Sequence, residues 1–225
     1  MGVERAVILA AGLGTRLKWL TRERPKALMP VAGAPIIVHV IHSLAAHGIR
    51  DIAINVHHHA DVLKQALGNG EKLGVRLYYS PEPQLLDSGG GVRTALSRLP
   101  GNGLVAVHNA DVLCRVDIHR LAGLCPDTGC ALTLVPNPAH HPRGDFALQQ
   151  GRVGESGSPR FTFAGVSVWD ALALDAYAAG EEFPLTEPIR RLIAGGRCAG
   201  MLYRGPWFDV GRPVDLMRAK RVWRT

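Results

Sequence analysis

Over the first two thirds of the chain, short apolar runs alternate with amphipathic stretches. This is the texture of βαβ units building a mostly parallel sheet. The apolar runs predict strands over 6–10, 51–56, 75–79, 104–109 and 130–135. Between them, Ile36, Val40, Ile41 and Leu44 recur at helical spacing, with Pro35 suited to a first turn and Gly48 ending the run, so a helix is expected over 35–47. Further helices are expected over 60–67 and 91–99. Beyond Pro136 the texture changes to a proline-rich loop, a hairpin over 145–153 and an alternating segment over 161–168. Two last helices, 185–194 and 213–222, bracket a strand pair around Met201 and 207–210. No repeat or long Gly/Ser linker divides the chain, which predicts one α/β domain over 1–225 with two halves, 1–135 and 136–225. Sheets of this kind bind ligands beyond the carboxyl ends of their strands.

Composition narrows the class. With 225 residues, 47% hydrophobic and 20% charged, the chain has the balance of a globular domain and not of a disordered one. Every apolar stretch is broken before the length of a membrane span, and the first residues lead straight into a strand with no secretory pattern. The motif for myristoylation fails at Ala6. Cys114, Cys125, Cys130 and Cys198 form no C-x-x-C pair, as expected of reduced thiols in a cytoplasmic protein. The net charge of +7 suits a phosphate-rich ligand. Scattered basic residues without an aromatic platform or binding module argue against nucleic acid.

The sharpest chemical signal is Leu9-Ala10-Ala11-Gly12-Leu13-Gly14-Thr15-Arg16-Leu17, a strand running into a glycine turn, followed by Arg24-Pro25-Lys26-Ala27-Leu28-Met29-Pro30. Gly12 and Gly14 let backbone N–H groups approach an anion, and Arg16 and Lys26 supply fixed positive charge, so a polyphosphate belongs there. The run is not a dinucleotide fingerprint, because Leu17 stands where the third glycine belongs, and it is not a P-loop. His57-His58-His59 invites a zinc reading, but three adjacent histidines without an acidic or thiol partner nearby make a poor tetrahedral set. No nucleophile elbow occurs, and the cysteines lack a histidine partner in the sequence.

These two runs resemble the opening of the sugar-1-phosphate nucleotidylyltransferases, and the resemblance extends over nearly the whole chain. It is carried further by Ser80-Pro81-Glu82 leading to Leu86-Asp87-Ser88-Gly89-Gly90-Gly91, by 137–146, by 161–167 and by Tyr203-Arg204-Gly205-Pro206-Trp207-Phe208-Asp209-Val210-Gly211. The resemblance implies a Rossmann-like, three-layer α/β/α nucleotidyltransferase fold with a mixed, mostly parallel central sheet. It implies that Ala11, Gly12, Gly14, Thr15 and Arg16 wrap a triphosphate with Lys26 on the phosphates, and that Glu82, Ser88 and Gly89 lie along the base and ribose. Asp111 and Asp209 would hold Mg²⁺, and Asn109 and Asp145 would face the sugar phosphate. Arg16, Lys26 and Asp111 would carry catalysis.

The segment from His140 to Phe146 points to the subgroup that joins UTP to N-acetylmuramate 1-phosphate in cell-wall recycling. Other triphosphates with mannose, glucose or heptose phosphates are the alternative, and a nucleotide-sensing module without catalysis is a second. Ala110 replaces a usual glycine, Trp19 a frequent proline, and Asp87-Ser88 a usual Glu-Thr; these departures bear on base and sugar choice more than on the reaction. The short carboxyl end favours a monomer.

Overall fold

The computed structural model describes residues 2–14 and 24–223. In chain order the strands are β1 Arg5–Leu9, β2 Pro30–Val31, β3 Ala34–Pro35, β4 Asp51–Val56, β5 Arg76–Pro81, β6 Leu104–Asn109 and β7 Val112–Cys114. They continue as β8 Cys130–Val135, β9 Phe146–Gln149, β10 Arg152–Gly154, β11 Arg160–Asp170, β12 Cys198–Leu202 and β13 Trp207–Asp209. The helices are α1 Ile36–Ala46, α2 Ala60–Leu67, α3 Asp87–Leu96, α4 Ile118–Ala122, α5 Thr186–Ala194 and α6 Pro213–Val222.

Nine strands form one sheet in the order β5-β4-β1-β6-β11-β8-β12-β10-β9, all running one way except β10 and β11. The sheet is therefore mixed and mostly parallel. β4 and β8 are buried along their whole length, as continuous apolar runs covered on both faces should be. Alternation along β1 sorts the two faces. Ala6 and Ile8 join Ile37, Val40, Ile41 and Leu44 of α1 and Leu63 of α2 on one side. Val7 joins Val92 and Ala95 of α3 and Ile189 and Leu192 of α5 on the other. Helices cover both faces, giving the α/β/α layering.

α6 packs elsewhere. Its Leu216 and Ala219, with Trp223 beyond, join Val31, Leu113, Phe208 and Val210 in a third cluster. That cluster explains a correction. The strands near Met201 and 207–210 do not pair with each other: β12 pairs with β8 in the large sheet, and β13 pairs with β7. β7 was not foreseen, yet its three buried residues offer β13 an apolar partner that β12, committed to β8, cannot.

A second difference concerns α3, which starts at Asp87 and not at 91. Its glycines would ordinarily break a helix, but here the N–H groups of Gly89 and Gly90 both donate to the carbonyl of Phe183. A Cβ on Gly90 would lie 2.1 Å from the carbonyl oxygen of Glu181. The glycines let the 181–183 segment seat directly on the first turn.

Candidate active site

β1, β4, β5 and β6 end on one edge of the sheet. The register places Leu9 between Asn55 and Asn109, and Ser80 beside Asn55. The turn at Ala11 and Gly12, Glu82, and Asp111 follow directly. Leu9, Asn55, Asn109, Ala11, Gly12, Glu82 and Asp111 line a cleft of about 440 Å³, completed by Leu85, Asp87, Ser88 and Glu182. Gly14 lies at φ +65°, a left-handed conformation that favours glycine. Thr15 and Arg16 fall outside the described residues.

A buried polar network fixes one wall. The Asn55 side chain accepts from Ala10 N at 2.6 Å and donates to Glu82 Oε1 at 2.7 Å. Glu82 Oε2 accepts from Leu86 N at 3.1 Å. Glu82 is 3% exposed, so its carboxylate braces the turn before α3 while its edge lines the cleft. A Cβ on Gly91 would come within 2.5 Å of Asn55 Nδ2, which gives that glycine a steric reason. Gly89 backs onto Phe183 and does not line the cleft, whereas Ser88 does, with its hydroxyl accepting from Leu185 N at 3.0 Å.

The opposite wall carries the charges. Lys26, held by a short 3-10 turn whose Ala27 and Leu28 are buried, forms an ion pair with Asp111 Oδ2. The Asp111 carbonyl accepts from Val210 N at 2.9 Å, and Asp209 stands opposite Val112 in the β13–β7 pair. Asp111 and Asp209 are thus brought to neighbouring positions from 98 residues apart. Ala110 lies outside the left-handed region, so the backbone there does not demand glycine. Asn109 is seated by Gly165, at φ +77°, where a Cβ would lie 2.7 Å from Asn109 Nδ2. Gly165 sits in the register shift of β11 against β8.

Behind this wall His108 is buried, with Nδ1 at 2.8 Å from the carbonyl of Asn109 and Nε2 at 3.7 Å from Cys114 Sγ. Burial pushes its pKa down to about 4 and that of the Cys114 thiol up to about 12. The imidazole is neutral, with its proton on Nδ1 where only a carbonyl can accept it.

Asp209 lines a second cavity, of about 740 Å³, between the loop at 135–140 and α6. Asp145 lines neither space. Its carboxylate joins His141 Nε2 at 2.9 Å and Phe163 N at 2.8 Å, bracing the loop at 137–146. His57 Nδ1 engages the carbonyl of Glu82 at 2.7 Å. Among the described residues no three His, Cys, Asp or Glu side chains converge as a metal site. Asn55 and Glu182 were missed in the sequence. An asparagine between Ile54 and Val56 at the end of an apolar strand was a readable signal for the first; Glu182 comes from an irregular connection that carries none.

Residues 5–144 match the nucleotidyl transferase family. The chain is 36% identical over 226 residues to the N-acetylmuramate alpha-1-phosphate uridylyltransferase of Neisseria meningitidis serogroup B, covering 97% of each. It is 34% identical to the enzyme of that name from Caulobacter vibrioides, covering 96% of this chain and 95% of that one. A mannose-1-phosphate guanylyltransferase of Mycobacterium tuberculosis is 29% identical, over 95% of this chain and 62% of its own length. In fold, the chain resembles HddC of Yersinia pseudotuberculosis, solved with GMP-PN, at a TM-score of 0.79 and 19% identity over 99% of this chain and 100% of that one. The chain belongs to the nucleotidyl transferase family, and within it to the sugar-1-phosphate nucleotidylyltransferases.

Proposed function

We propose that the protein transfers a uridylyl group from UTP to N-acetylmuramate 1-phosphate, releasing pyrophosphate, as a monomeric cytoplasmic enzyme of cell-wall recycling. The observation that carries the reaction is the Lys26–Asp111 ion pair, with Asp111 lining the cleft beside Gly12 and Asp209 on the strand that pairs with β7 next to it. The choice of substrates is supported by two relatives above 30% identity, both named for that pair.

An oxygen of the sugar phosphate attacks the α-phosphorus of the triphosphate. The bond from that phosphorus to the bridging oxygen breaks, and pyrophosphate leaves with the electron pair. The attacking oxygen is already an anion at neutral pH, so no side chain need remove a proton. The barrier is repulsion between phosphates, which positioning and fixed positive charge lower. In this reading the nucleotide half is 1–135, with backbone N–H groups at Ala11, Gly12 and Gly14 facing the triphosphate, and Thr15 and Arg16 beside them. Lys26 moves from Asp111 to the phosphates. Glu82 and Gly89 hold the wall on which Ser88 meets the base and ribose. The sugar half is 136–225; Asn109 faces the sugar phosphate, and Asp145 shapes the loop that closes over it.

The donor set fits a hard divalent cation. Asp111 and Asp209 offer carboxylate oxygens, and Asp111 already attracts the Lys26 ammonium. Two carboxylates, with substrate phosphates completing the shell, suit Mg²⁺. When bound, Mg²⁺ would neutralise charge on the reacting phosphates. A matrix of UTP, GTP, ATP and TTP against muramate, glucosamine, glucose, mannose and heptose 1-phosphates, scored by pyrophosphate release, tests the assignment. A preference for UTP with the muramate is expected. A preference for GTP with mannose 1-phosphate contradicts it.

A further inference from the structure

Asp111 precedes β7 and Asp209 ends β13, yet these two strands form a sheet of their own, outside the nine-stranded one. A pair of three-residue strands does not hold its place alone, so the position of the carboxylates is set from elsewhere. The third apolar cluster supplies the support. Phe208 and Val210, on either side of Asp209, are buried in it, as is Leu113, two residues past Asp111. Met29 and Val31, which follow the Lys26 turn, join them. α6 closes the cluster with Leu216 and Ala219, and Trp223 completes it. Lys26, Asp111 and Asp209 thus stand on one small core whose cover is the last helix.

The Trp223 ring meets all three segments. Its centroid lies 6.3 Å from that of Phe208, edge to face at 89°. Arg115, the residue after β7, sets its guanidinium carbon 5.3 Å from the ring centroid. His39 stands edge-on at 6.2 Å, and its Nε2 donates to the Val31 carbonyl at 2.7 Å. The indole Nε1 is buried without a hydrogen-bond partner among the described residues, so shape and ring contacts hold the side chain. We propose that Trp223 is a positioning residue, on the reading of Asp111 and Asp209 as the cation's ligands: it acts through this cluster to hold the two carboxylates at the spacing one ion needs. Coupling of this kind is reciprocal, so a cation held between the carboxylates also fastens α6.

The test reads Mn²⁺ affinity by paramagnetic resonance, and kcat and KM for UTP by pyrophosphate release with N-acetylmuramate 1-phosphate. It compares the wild type, Trp223→Ala, Trp223→Phe and Leu192→Ala at a temperature where each is folded. Leu192 lies in the separate cluster with α5, so its truncation opens a cavity away from Trp223. Trp223→Ala should weaken Mn²⁺ binding and lower kcat, each roughly 10- to 100-fold, as on loss of a residue that orients a metal ligand. KM for UTP should stay unchanged. Trp223→Phe keeps a ring and loses no hydrogen bond, so both quantities should remain near the wild-type values. Leu192→Ala should lose thermal stability and keep its Mn²⁺ affinity. In the wild type, Mn²⁺ alone should slow amide hydrogen exchange in α6, a measurement that decides the matter even where Trp223→Ala does not fold. Unchanged α6 exchange, unchanged Mn²⁺ affinity in Trp223→Ala, or equal weakening in Leu192→Ala overturns the proposal and leaves the transfer reaction standing. Absence of Mn²⁺ binding by the wild type, with and without UTP, overturns the cation reading and the proposal together.

Discussion

The ammonium of Lys26 rests on Oδ2 of Asp111, joining the segment after the glycine turn to the end of β6. Before substrates bind, the pair places a cation on the carboxylate to which the proposed function assigns a metal. Lys26→Gln should therefore have two opposite effects. Turnover should fall roughly 10²- to 10³-fold, as on loss of one preorganised electrostatic contact. Affinity of the free enzyme for Mn²⁺, read by its paramagnetic resonance, should rise several-fold once the competing charge is gone. A variant with lower turnover and unchanged or weaker Mn²⁺ binding would show that Lys26 does not compete for Asp111.

Asn55 spans Ala10 N and Glu82 Oε1 in a buried setting. Asn55→Ala leaves both without that partner, one of them a carboxylate oxygen. The expected cost is about 1–3 kcal/mol, which for a chain of this size lowers Tm by about 2–4 °C per kcal/mol. KM for the nucleotide should rise as well, because the Glu82 wall loosens. Calorimetry and initial rates read the two effects separately.

Gly165 occupies a left-handed position against the Asn109 amide. Gly165→Ala adds both backbone strain, about 1–2 kcal/mol, and a clash at 2.7 Å that pushes Asn109 from the cleft. Lower thermal stability with a selective rise in KM for the sugar phosphate is expected. An unchanged KM would remove Asn109 from the sugar-phosphate contact.

His108 ties stability to pH. Its folded pKa is about 4, below the ordinary value of 6.5, because burial disfavours the charged ring. Between these values the unfolded chain binds the extra proton, so the contribution is complete above pH 6.5 and is lost as pH falls towards 4. The shift corresponds to about 3 kcal/mol. Urea unfolding at a series of pH values should show this slope in the wild type and its loss in His108→Gln.

Much of the architecture could be read from apolar patterning. The bounds of β4, β6 and β8 match the expected strands because strands covered on both faces read as unbroken apolar runs. α2 and α6 also match, the latter opened by Pro213. What the pattern hid depends on contacts made in the fold. β7 and α4 are too short to show a period. The start of α3 depends on the Phe183 carbonyl and not on helix propensity. In the site, the glycine turn and Lys26 stood out because charge beside a glycine turn has few structural uses, whereas Asp111 and Asp209 were marked by the family resemblance alone. The bracing of Glu82 by Asn55 was not legible, because a paired buried carboxylate and a ligand-facing one look alike in a sequence.

Asp111 and Asp209 sharing one divalent cation is tested most directly by anomalous diffraction from crystals grown with Mn²⁺ and a non-hydrolysable UTP analogue. A single Mn²⁺ peak about 2.1 Å from a carboxylate oxygen of each residue, with Lys26 moved onto the phosphates, is the predicted result. A peak bound to one aspartate alone, or Lys26 still seated on Asp111 beside the bound nucleotide, would contradict it.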